Sequence, residues 1–214
     1  MPLLDNYKID HDAETWLGLW EMTENLSFFE ENIILHDEEA LEIRQLKDRK
    51  RHEWFCSRYL LHILSGMEIR GACLKDQYGK PFLAGSSYFI SMSHSHERAA
   101  VIASSRRAGI DIQIKVEKIA RIADKFLSPK ERDSINETHF LDTLHFFWGA
   151  KECLYKIYGK KELDFKKHIR VDPFEYMEGS VKTTGRLEKG EENITCDITG
   201  YVSGSYFLVY AVEI

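Results

Sequence analysis

Three pairs of segments in this chain echo each other at offsets of 92 to 94 residues, and that repetition narrows the available folds more than any other feature. Leu35-His36-Asp37-Glu38-Glu39 resembles Leu127-Ser128-Pro129-Lys130-Glu131. Trp54 to Ile63 resembles Trp148 to Ile157, and Lys80-Pro81-Phe82 resembles Asp172-Pro173-Phe174. Each copy reads as helix, helix, then antiparallel strands. A duplicated block of this kind implies an α+β protein of two similar halves related by a pseudo-twofold axis, each with helices packed on a small antiparallel sheet. The halves are expected at residues 1–105 and 106–214, with the active site in the cleft between them, where ligand sites often lie.

At 214 residues the chain is long enough to bury a proper core, as one domain or two small ones. Its formal charge of −6 argues against bulk nucleic-acid binding. Basic residues still cluster at Lys47 to Arg51, Arg106-Arg107 and Lys160 to Arg170, and each cluster is either a local anion site or a solvated face. Cys56, Cys73, Cys153 and Cys196 lack CxxC spacing and read as free thiols. Met1 to Asp12 shows no basic segment followed by an apolar run, and no window approaches the roughly 18 apolar residues of a membrane span. The expectation is a cytoplasmic protein with neither leader nor membrane segment.

Along the chain, Leu17 to Phe29 suggests a strand and the approach to a helix. Asp37 to Leu64 reads as long helix with a junction near Arg49 to Arg51 and a stop at Ser65-Gly66. A turn follows at Asp76 to Pro81. Tyr88 to Met92 and Ala99 to Ala103 read as strands joined by a loop over Ser93 to Arg98. In Gly109 to Lys115, Ile110, Ile112 and Ile114 face one way and Asp111, Gln113 and Lys115 the other. Ser128-Pro129-Lys130-Glu131 carries a capping box and Pro at the first helical position, opening a helix expected to run towards Thr138. From Ile169 onward, alternation around Gly179-Ser180, Thr184-Gly185 and Lys189-Gly190 predicts an antiparallel meander ending in Tyr206 to Val212.

The chemistry concentrates in a helix from near Leu141 to Gly159. Phe147, Ala150, Leu154, Ile157 and Tyr158 form its apolar stripe, and Gly149, Glu152 and Lys156 lie opposite. An acid and a base one turn apart beside a glycine form either a site or a solvent-exposed i, i+4 ion pair. Asp111 and Gln113 with Glu152 offer an all-oxygen set suited to Mg²⁺, although Asp111 also reads as the polar side of a half-exposed strand. His94 and His96 have no third ligand at zinc spacing. Gly-x-Ser-x-Gly, P-loop and dinucleotide-binding patterns are absent.

Taken together, Gly109-Ile110-Asp111 and Phe147-Trp148-Gly149-Ala150-Lys151-Glu152-Cys153-Leu154-Tyr155-Lys156 resemble the signature of the 4′-phosphopantetheinyl transferases of the surfactin-synthetase-activating type, a G-[IV]-D segment followed by W-x-x-K-E-x-x-x-K. Tyr78 to Pro81, Ser93-His94-Ser95 and Arg49 to Arg58 resemble further motifs of that family, so the likeness spans residues 35 to 160. It implies Mg²⁺-dependent transfer of the phosphopantetheine arm from coenzyme A to a serine of an apo acyl, peptidyl or aryl carrier protein, releasing 3′,5′-ADP, by a pseudo-dimeric monomer. Asp111, Gln113 and Glu152 would then hold the metal, with water as the alternative to Gln113, since many members carry a second acid there. Glu152 would take the serine proton and Lys156 would meet the pyrophosphate. Lys80, Ser93, His94 and Arg51, or Arg49 in a shifted register, would contact coenzyme A phosphates. A basic rim at Arg106-Arg107 or Lys160-Lys161 would steer an acidic carrier. The alternative is a non-catalytic coenzyme A or carrier-protein binding protein on the same scaffold.

Overall fold

A computed structural model describes residues 3–9, 14–135, 137–177 and 179–214, so the N-terminal stretch read for a leader lies partly outside them. The chain forms two compact units, Met1–Arg106 and Arg107–Ile214. Both mix helices with small sheets, and all strand pairings among the described residues are antiparallel.

The first unit opens with β1 (Leu3–Lys8) and β2 (Thr15–Glu21), followed by α1 (Leu26–Asn32), α2 (Asp37–Ile43) and α3 (Asp48–Ser65). Asn25 caps α1 by accepting the Phe28 N–H, and Gly66, at φ 62°, ends α3 as the sequence suggested. The junction between α2 and α3 falls at residues 44–47, ahead of Arg49 to Arg51, because Lys47 takes the N-cap and the basic run sits inside the first turns. A short hairpin of β3 (Cys73–Lys75) and β4 (Pro81–Leu83) precedes β5 (Phe89–Ser95) and β6 (Arg98–Ser104). The expected loop over Ser93 to Arg98 shrinks to His96 and Glu97, with His96 at φ 53°. The main sheet has the order β1-β2-β6-β5, and α3 packs across it through Phe55, Leu60, Leu61 and Leu64.

The second unit runs β7 (Ala108–Ile114), α4 (Ile119–Phe126), α5 (Pro129–Asp133), a 3₁₀ turn at Glu137–His139, α6 (Phe140–Tyr158) and α7 (Phe165–His168). The strands β8 (Ile169–Val171), β9 (Ser180–Lys189), β10 (Glu192–Ser203) and β11 (Tyr206–Glu213) complete it in the order β7-β11-β10-β9-β8. The Ser128 cap is present, but α5 stops at Asp133, where the Ser134 hydroxyl donates to the Glu131 carbonyl. Thr184-Gly185 is no turn. Gly185 lies inside β9, where a β-carbon would fall 2.5 Å from Ile198 Cδ1 and 2.9 Å from Leu154 Cδ1. The core gathers Phe126, Leu144, Phe147, Leu154, Ile157 and Phe207 around α6.

Each unit repeats one local device. Glu131 Oε2 accepts the Ser128 N–H at 2.7 Å as a capping box requires, and its Oε1 accepts the Val171 N–H at 3.0 Å. Glu39 likewise accepts the N–H of His36 at 3.2 Å and of Cys73 at 3.0 Å. A buried cation neutralises each carboxylate, Lys151 for Glu131 and Arg70 for Glu39. The carboxylate so ties a helix start to a distant strand.

Candidate active site

The second unit builds its polar centre where β7 runs alongside α6. Two glycines permit the close approach: a β-carbon on Gly109 would lie 2.2 Å from the Cys153 carbonyl oxygen, and one on Gly149 would lie 2.7 Å from Val209 Cγ2 and 3.2 Å from Gln113 Nε2. The alternation of β7 holds, with a consequence the sequence did not disclose. Its polar face, with Asp111 and Gln113, is the one turned to α6, while Ile110 and Ile112 are buried on the other face. Asp111 is therefore not on a half-exposed strand side; it is 7% exposed.

Lys156 Nζ donates to Asp111 Oδ1 at 2.8 Å and to the Ile110 carbonyl at 2.7 Å. Glu152, one turn earlier, is half-buried, and no hydrogen bond to its carboxylate is found among the described residues. Burial first, and then the charge of Asp111, push its pKa up to about 7, with Lys156 pulling the other way. Two carboxylates and one ammonium thus share a poorly solvated space. The exposed ion-pair reading of Glu152 and Lys156 does not hold, because Lys156 pairs with Asp111.

Gln113 joins the group through both ends of its amide. Its Nε2 donates to Asp111 Oδ2 at 3.3 Å and to the His145 carbonyl at 3.1 Å, while its Oε1 accepts from His145 Nδ1 at 2.8 Å. His145 is fully buried, stacked on Phe207 with centroids 4.6 Å apart, and burial holds its pKa below the usual value. A histidine inside the apolar run Leu144 to Phe147 was the signal that sequence reading passed over.

Lys151 was also passed over. Its side chain is wholly buried and Nζ donates to Glu131 Oε2 at 2.9 Å, Phe165 O at 2.9 Å and Ile169 O at 3.1 Å. The neighbouring Trp148 packs edge-on against Phe126, so it too serves the core.

For a divalent cation the donor set is Asp111 and Glu152. Among the described residues no group of three or more His, Cys, Asp or Glu is placed to hold a metal. Two carboxylates nevertheless suit Mg²⁺, which commonly takes one or two and fills its shell with water and substrate phosphates. The mutual repulsion that raises the Glu152 pKa is what a cation there would relieve.

In the first unit, the structure separates the residues expected to meet coenzyme A. His94 lines a cavity of about 380 Å³ with Lys50, Glu53, Trp54, Arg58 and Lys75, and its Nδ1 lies 3.4 Å from Glu53. Ser93 points to the opposite face of β5 by strand alternation. Lys80 lines a second cavity of about 390 Å³ with Phe82, Tyr88 and Phe89. Arg51 lines neither and donates to Glu30 at 2.7 Å. Arg58, the end of the basic stretch noted in the sequence, stacks 4.4 Å from the Trp54 ring centroid; an Arg four residues after a Trp on a helix is a readable signal for this. Of the expected basic rim in the second unit, Arg107 forks onto Glu213 and Lys160 donates to Glu192, which Arg107 also meets.

No helix is long and apolar enough to cross a membrane among the described residues. A search among curated proteins finds no match. The family comparison is positive where the polar centre lies: residues 107–204, carrying Asp111, Glu152 and Lys156, match the model of the 4′-phosphopantetheinyl transferase superfamily.

Proposed function

We propose that this chain transfers the 4′-phosphopantetheine arm of coenzyme A to a serine hydroxyl of an apo acyl, peptidyl or aryl carrier protein, as a holo-carrier-protein synthase. The observation that carries the reading is Glu152, held at a pKa of about 7 beside Asp111 and Lys156, inside the segment that matches the superfamily. A general base works best when its pKa lies near the operating pH, and Glu152 meets that condition.

In this reading the serine oxygen forms its bond to the β-phosphorus of coenzyme A as the pyrophosphate P–O bond breaks, releasing 3′,5′-ADP. The serine proton passes to a Glu152 oxygen or to a water it orients. Lys156 supplies positive charge towards the departing oxygen, and its bond to Asp111 keeps the ammonium in place meanwhile. Asp111 and Glu152 would hold Mg²⁺, which when bound neutralises charge on the pyrophosphate. His94 and Lys80, with Ser93 and Arg51 from the motif likeness, are proposed for coenzyme A phosphates. Lys50 and Arg58 are further cations beside His94.

The test is intact-mass measurement of apo carrier proteins incubated with the protein, coenzyme A and Mg²⁺. A gain of one phosphopantetheine arm, lost with Glu152→Ala and with EDTA, is expected. No gain on acyl, peptidyl and aryl carriers alike would overturn the proposal.

A further inference from the structure

The side chain of Gln113 sits in a chain of hydrogen bonds whose direction is set by the acceptors around its amide nitrogen. The Val116 N–H faces His145 Nε2 at 3.1 Å. The Val116 carbonyl lies 3.3 Å from the same Nε2, so this loop alone admits either tautomer, and the Gln113 amide decides: its nitrogen faces two acceptors, which leaves its oxygen towards the ring and calls for the ring proton on Nδ1. That proton faces Gln113 Oε1 at 2.8 Å. The two acceptors of the amide nitrogen are the His145 carbonyl at 3.1 Å and Asp111 Oδ2 at 3.3 Å. Turning the amide over would set donor against donor at His145 and oxygen against oxygen at Asp111. The imidazole has no freedom to adapt, being fully buried with its ring within 7° of parallel to Phe207. Gly149 completes the arrangement, since a β-carbon there would press on Gln113 Nε2 at 3.2 Å.

We infer that Gln113 is a strut for Asp111 and not an oxygen ligand of the cation, with His145 as the positioning residue that holds the amide oxygen turned away from Asp111. The cation half of this inference rests on the transferase reading; the strut itself does not. A cation at Asp111 then finds two carboxylates, Asp111 and Glu152, and an N–H where an acid two residues after the aspartate would have presented a third oxygen. The amide meets Asp111 Oδ2 while Lys156 meets Oδ1, so Asp111 is oriented before any substrate arrives.

Long-range ¹H–¹⁵N NMR of the full chain tests this, with the His145 ring signals identified by their loss in His145→Phe. The metal-free protein is expected to show His145 protonated on Nδ1 alone, and Gln113→Met to abolish the hydrogen-bonded Nδ1–H signal. An Nε2–H ring in the metal-free wild type would overturn the strut. The wild-type spectrum is then recorded after saturation with Mg²⁺ and coenzyme A, with binding followed by calorimetry. Retention of the Nδ1–H signal upholds the assignment. Its loss on saturation overturns it, because an amide that turns its oxygen to the cation deprives Nδ1–H of its acceptor. Absence of any calorimetric binding by the wild type counts against the transferase reading and the cation half together, while the metal-free spectrum still decides the strut.

Discussion

Replacing Lys151 by Met should damage the fold and leave the chemistry of the folded molecule alone. An ammonium has three hydrogens, and Lys151 places one on Glu131 Oε2, one on Phe165 O and one on Ile169 O. Methionine keeps the apolar stem and removes all three bonds. Glu131, 4% exposed, would be left without its cation, and breaking a buried pair from one side costs about 3–5 kcal/mol. The carboxylate keeps its two backbone donors, Ser128 and Val171, which places the cost at the lower end, about 3 kcal/mol. For a chain of this size that corresponds to a melting temperature lower by about 10 °C. Adding Glu131→Gln removes the stranded charge, so the double variant should recover about half of the loss in a double-mutant cycle. The assay is calorimetric melting at pH 7.5, with carrier transfer measured well below the variant's midpoint. Lys151 reaches towards α7 and β8, away from Asp111, so the transfer rate per folded molecule should stay within about threefold of wild type. Wild-type melting combined with abolished transfer would refute this reasoning and move Lys151 into contact with substrate.

Glu152→Gln should stabilise the metal-free protein in a pH-dependent way. The folded pKa of about 7 lies above the ordinary 4.5, so the fold favours the protonated acid, and stability present below pH 4.5 is lost as pH rises through 7; the variant, which mimics the protonated form, should melt alike at pH 4.5 and gain up to about 3 kcal/mol over wild type by pH 8. The transfer rate should rise as Glu152 ionises, with a midpoint below the metal-free value of about 7 because Mg²⁺ relieves the repulsion behind it, and a profile with no rise between about pH 5 and 8.5 in stopped-time mass assays would argue that another group takes the proton. Gly149→Ala should cost about 1–3 kcal/mol in denaturant unfolding, because its methyl meets Val209 at 2.7 Å, and should also disturb Gln113.

What could be read from the chain in advance was local. Ser128-Pro129-Lys130-Glu131 announces its helix because every capping signal falls within four residues, and Gly66 and Gly159 end α3 and α6 in the left-handed conformation. The rest depends on partners far along the chain. No local pattern says that the same Glu131 takes a strand N–H from Val171 or a cation from Lys151. Gly185 read as a turn because a glycine needed for a turn and one needed for packing look alike until Ile198 and Leu154 are seen against it. In the polar centre, the nearness of Glu152 and Lys156 was legible because they lie one turn apart on a helix, while the pairing of Lys156 with Asp111 some forty-five residues away was not. Gln113 was read for its oxygen, and no local pattern shows that His145 faces that oxygen and Asp111 the amide nitrogen.

The division of labour within the motif on α6 follows from helix geometry. Adjacent residues on a helix diverge by about 100°, so Lys151 and Glu152 are obliged to face different neighbours. Burying Lys151 against Glu131, Phe165 O and Ile169 O fixes the rotation of α6 about its axis. Cys153 Sγ, 3.2 Å from the Val209 carbonyl, and the bare Gly149 under Val209 fix the same rotation from the β11 side. With the helix so set, and Gly109 letting β7 reach the Cys153 backbone, Glu152 and Lys156 are brought to Asp111, and Lys156 is held there by Asp111 and the Ile110 carbonyl. This also accounts for an otherwise costly feature: Glu152 keeps a carboxylate where burial opposes its charge, because the helix carrying it is anchored by contacts that Glu152 does not make.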